Sequence, residues 1–125
     1  MLLRLGCWAE SHTVAQDVNS AEGSYWHAIV HRIEPDSANA GYWFRQTGKH
    51  PIFADLRDRA KEILAGGAPE HWRVKADWDP MLFIRWCDEA RERRGEAETT
   101  AIRIQAAEWE LLFAWCAAAE GSAAR

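Results

Sequence analysis

Apolar residues recur along the chain at intervals of three and four, and the alternation of β-branched residues between turn dipeptides that marks strands is nearly absent. The pattern predicts an all-α protein of about six helices, packed as antiparallel hairpins in an irregular bundle. A first helix is expected over roughly Leu2 to Val18, with a break near Gly6-Cys7, ended by the polar stretch Asn19 to Gly23. Ser24 reads as the N-cap of a second helix, Tyr25 to Glu34, with Trp26, Ile29, Val30 and Ile33 as its apolar face.

Pro35 disfavours helical geometry in the residue before it, and Asp36 or Ser37 can cap a third helix reaching Gln46, closed by Thr47-Gly48. Pro51 suits the first turn of a fourth, in which Ile52, Leu56, Ala60 and Ile63 share a face until Gly66-Gly67. Pro69 to Asp77 is a loop carrying Trp72. Asp79-Pro80 is a start signal for a fifth helix, Met81 to Arg94, since Asp caps and Pro is tolerated at the first position. After Gly95 a last helix runs from Glu98 to Ala119, with Ile102, Ala106, Trp109, Phe113 and Cys116 as its stripe, widened by Leu111, Leu112 and Trp115. Such a widened end is either central to a core or covered in a homodimer.

At 125 residues the expected organisation is one helical domain, 1–120, with a frayed tail, 121–125. A hydrophobic content of 48% against 27% charged residues supports a sizeable core rather than disorder. Eight tryptophans are many for this length; most should be core, with a minority on a pocket or interface.

The net charge of −4, with basic residues interleaved among acids as in Asp88 to Arg94, argues against a nucleic-acid partner, which needs clustered positive charge. No run of apolar residues is long enough for a membrane span. Cys7, Cys87 and Cys116 lack a Cys-x-x-Cys pair, so neither a disulfide framework nor a cysteine zinc site is suggested, and a reducing cytoplasm fits.

Two segments about 29 residues apart, Gly6 to Ser11 and Pro35 to Ala40, each place a turn and then small residues where antiparallel helices would cross. The first half is therefore tetratricopeptide-like in pattern, although two copies are fewer than a solenoid needs.

The chemistry gathers on the second predicted helix. His27, His31 and Glu34 lie at about 0°, 40° and −20° on the helical wheel, on the flank of the apolar face. Two histidines at i and i+4 can share a divalent transition metal such as zinc, iron or nickel, and a carboxylate would complete a facial set. His12, with Glu10 close by, is the candidate donor from the first helix. The same histidines equally suit a metal-free polar pocket or structural roles.

Tyr25, Trp26, Tyr42, Trp43 and Arg45 form a candidate aromatic wall with one cation for a small molecule or a partner protein, and they suit core packing as well. His50, before Pro51, is expected to buttress a turn, and His71 to be a solvated loop side chain. No Gly-x-Ser-x-Gly elbow, phosphate loop or His-Glu-x-x-His motif occurs, so whether the protein is an enzyme stays open. The two readings carried forward are a binding module with a His/aromatic site and a metal-binding protein or metal-dependent enzyme.

The runs Ser11-His12-x-x-Ala15-Gln16, Tyr25-Trp26-His27-Ala28-Ile29-x-His31-Arg32-x-Glu34-Pro35-Asp36, Asn39-Ala40-x-Tyr42-Trp43-Phe44-Arg45 and His50-Pro51-x-Phe53 resemble an uncharacterised bacterial family of helical proteins. The resemblance covers most of the chain. It implies the helical fold and marks the segment around His27 and His31, without implying a reaction.

Overall fold

The computed structural model describes residues 21–123, with side chains through Ala118. The predicted first helix, with Cys7, Trp8, Glu10 and His12, lies outside the described residues, as do positions 124–125 at the end of the tail. Among the described residues the structure is all-helical, with five helices: α1 (Ala21–Ile33), α2 (Ser37–Thr47), α3 (Phe53–Ala65), α4 (Pro80–Arg93) and α5 (Gly95–Ala123). None is long and apolar enough to cross a membrane. The chain divides into two compact units: the described part of Met1–His50 with the described part of Leu112–Arg125, and Pro51–Leu111.

In the first unit α1 and α2 pack as a hairpin. Tyr25 meets Phe44 and His27 meets Trp43, so positions early in α1 face positions late in α2, which is antiparallel pairing across the Glu34–Asp36 link. Asp36 caps α2 as expected: its carboxylate accepts the Asn39 backbone N–H at 3.4 Å and the Asn39 side-chain amide at 2.7 Å. At the other end the Gly48 N–H donates to the Phe44 carbonyl, with φ +67° and ψ −152°, a region open in practice only to glycine.

Two expectations for α1 are corrected. Ser24 is not its N-cap: residues 21–23 before it are already helical, and Gly23 and Ser24 are buried inside the helix. Small polar residues read locally as a boundary, but packing against neighbours overrides that preference. Ile33 is not on the buried face: it is 44% exposed, whereas Arg32 is buried with its guanidinium 5.9 Å from the centre of the Phe44 ring. A long side chain lets Arg32 lay its stem and planar head on an aromatic face at the helix end, where Ile33 points away.

The second unit is held by aromatic packing. Trp72 stacks on Trp86 at 5.1 Å and 5° between planes, and Trp78 and Phe83 pack edgewise or tilted around them. Asp79 caps α4, accepting from the Met81 and Leu82 N–H groups at 3.0 and 3.3 Å, with Pro80 first in the helix as the sequence predicted. The loop between α3 and α4 is tied down at three places. The Arg57 guanidinium donates to the Lys75 carbonyl at 2.6 Å, the Thr100 hydroxyl to the Gly67 carbonyl at 2.8 Å, and the Trp72 indole to Glu89 at 2.6 Å.

The junction of α4 and α5 turns on two consecutive residues with positive φ, Arg94 (+58°) and Gly95 (+60°). Beyond it the buried side of α5 is Ala97, Ala101, Ile104, Glu108 and Leu112. The expected stripe is therefore rotated: Ile102 is exposed by 58% and Ala106 is exposed, Trp109 and Phe113 are half-buried, and of that set Cys116 alone is buried. Small alanines on the buried side allow close helix approach, so bulk does not mark the inward face.

Candidate functional site

The α1–α2 hairpin carries most of the residues singled out from the sequence, and folding sorts them into two groups. Tyr25 and Trp26 are buried. Tyr25 packs edgewise on Phe44 and on His50, with ring centres 5.6 Å apart in both pairs. Both are core side chains rather than surface ones.

The second group reaches the surface. The His27 imidazole lies flat on the Trp43 indole, with ring centres 4.4 Å apart and planes 18° from parallel. Tyr42 meets the same indole edge-on at 5.2 Å and 88°, and is itself 47% exposed. Arg45 is exposed on the last turn of α2. The side chains come together because positions 27 and 43 face each other across the antiparallel hairpin, while Tyr42 adjoins Trp43 in sequence.

His31 and Glu34 take other roles. The His31 Nδ1 lies 3.9 Å from the Asp36 carboxylate. That carboxyl is held below its ordinary value chiefly by the Asn39 side-chain amide, then by the Asn39 backbone N–H, with a smaller contribution from His31. Glu34 is exposed in the turn. Among the described residues, no three His, Cys, Asp or Glu side chains converge to hold a metal ion, and His12 and Glu10 lie outside them.

Two arrangements were not foreseen. His50 is buried, its Nε2 3.1 Å from Glu22 Oε2, with its ring edgewise to Tyr25 and to Trp115, 5.2 Å away. Where a buttress of the turn was expected, its hydrogen-bond partner is a carboxylate 28 residues earlier, in α1. Burial pushes the imidazole below its ordinary value, and the hydrogen bond and charge of Glu22 oppose that only in part.

His71 is not simply a solvated loop side chain: its Nε2 lies 2.6 and 2.8 Å from the two Glu89 oxygens. Glu89 also accepts the Trp72 indole N–H and has Arg93 at 3.7 Å. The carboxyl is held down first by the Trp72 hydrogen bond, against some burial, and further by His71 and Arg93. The signal in the sequence was slight: a Trp beside a His, and a Glu on the helix that follows.

Comparisons with protein-family models, with curated proteins and with solved structures gave no match to this chain.

Proposed function

We propose that this protein is an interaction module that takes a partner protein on the outer surface of the α1–α2 hairpin, with Trp43, Tyr42, His27 and Arg45 at its centre. The observation that carries the reading is the imidazole–indole stack flanked by a half-exposed tyrosine. Trp, Tyr and Arg supply most binding energy at protein interfaces, because they bring large rigid contact area with a polar tip. On the same footing we read the hairpin as tetratricopeptide-like, the chain as a relative of the bacterial helical family it resembles, and its setting as a reducing cytoplasm.

A photo-crosslinking residue placed at Tyr42 tests this, with the exposed position Glu62 as control. In lysate, position 42 should give a discrete adduct that Arg45→Ala weakens. Once that partner is purified, Trp43→Ala should weaken binding by about 30-fold, the usual scale of a central aromatic. Identical adducts from both positions would refute the reading. Stoichiometric metal in untagged protein, lost on His27→Ala, would move the assignment to the metal-binding reading, with His12 and His31 as the further ligands.

A further inference from the structure

A groove of about 350 Å³ opens in the second unit, between the C-terminal half of α3 and the loop that follows. Leu64, Ala68, Pro69, Trp72 and Val74 give it an apolar lining. Two cations, Lys61 and Arg73, stand on its rim with one carboxylate, Glu70. Neither cation forms an ion pair with a described residue; Arg73 donates through Nε to the Glu70 backbone carbonyl at 3.4 Å, which orients the guanidinium and leaves its terminal nitrogens for another acceptor.

We propose that this groove binds a small carboxylate with an apolar body, the body against Leu64, Pro69 and Val74 and the carboxylate between Lys61 and Arg73. The size lies in the range of small-molecule sites, and an apolar wall with a few placed polar groups is their usual make-up. The charge sets the class of ligand. In a chain of net charge −4, this rim carries two cations against one acid, so an anion is favoured over a neutral or cationic ligand of the same shape. One lining residue is held in place independently of any ligand, because Trp72 is stacked on Trp86 and bonded through its indole N–H to Glu89. This site is separate from the hairpin surface and does not depend on its assignment.

Octanoate and 1-octanol, which share a body and differ in charge, are the probes. Both are titrated against the full chain below their aggregation limits and followed by backbone amide NMR shifts. Octanoate should saturate, with the largest shifts at 64–74, and bind about tenfold more tightly than the alcohol. The double variant Lys61→Ala/Arg73→Ala should remove that preference while leaving the helical circular dichroism unchanged, since both residues are exposed. Glu70→Gln should tighten octanoate by about two- to fivefold, an effect opposite in sign to a general loosening of the loop. Absence of saturable shifts at 64–74, equal affinity for acid and alcohol, or an unchanged preference in the double variant would overturn the proposal.

Discussion

The buried imidazole of His50 makes the stability of this protein depend on pH in a definite direction. Its side chain is 1% exposed and packs edgewise on the Tyr25 and Trp115 rings, with its Nε2 3.1 Å from Glu22 Oε2. Burial lowers its folded-state pKa below the ordinary 6.5. In the unfolded chain the ring takes a proton as pH falls through about 6.5, while the folded ring still resists. Stability is therefore fully present above that value and is lost as pH falls toward the folded pKa, where the loss levels off. One proton of difference sets a limiting slope of about 1.4 kcal/mol per pH unit.

The comparison that isolates the effect is wild type against His50→Gln, which keeps a donor for Glu22 and does not titrate. Urea unfolding between pH 7.5 and 5.5, followed by tryptophan emission, should show wild type losing stability relative to the variant as pH drops. Truncation to Ala should cost about 2–3 kcal/mol at pH 7.5, less than a buried Phe because the ring is smaller and Glu22 regains water. A wild type that gains on His50→Gln as pH falls would mean that Glu22 outweighs burial, and the reasoning would fail.

Three further outcomes follow from local geometry. Glu89→Gln should loosen the loop between α3 and α4, raising amide hydrogen exchange around 70–74 and costing about 1–2 kcal/mol, because the charged acceptor for Trp72 and His71 is lost. In wild type this contribution is present above the ordinary carboxyl range and disappears as pH falls through the lowered Glu89 pKa, which hydrogen exchange at stepped acid pH would show. Gly48→Ala should lower stability by about 1–3 kcal/mol in a urea melt although open space surrounds the new methyl group, since its backbone conformation is strained for any other residue. Arg94→Gly should raise stability by about 1 kcal/mol by the same physics in reverse, net of the exposed Glu98 ion pair it removes; a loss in thermal melting would refute it.

Most helix boundaries were legible where the stop and start signals are backbone chemistry, although Pro51, expected in the first turn of its helix, precedes α3, which starts at Phe53. Asp36 before Ser37, Gly48 after Thr47 and Asp79-Pro80 each act within four residues, so local sequence contains the whole cause. Ser24 failed as a cap because its role is set by what packs on it. The candidate site was legible in part. His27 sits on the half-buried flank that the helical wheel placed it on, but its stacking on Trp43, sixteen positions later, depends on the register of two helices.

The sequence by itself determined that the described residues are all-helical and where most of their helices begin and end, because periodicity and capping are short-range. Only the tertiary structure decided which side of α5 is buried. That helix carries apolar residues around much of its circumference, so a period of 3.6 identifies the helix without choosing its inward face. The same holds for His50 with Glu22 and for His71 with Glu89. Each pair joins residues distant along the chain, and whether an imidazole is buried against a carboxylate or left in water is a property of packing that no local pattern encodes.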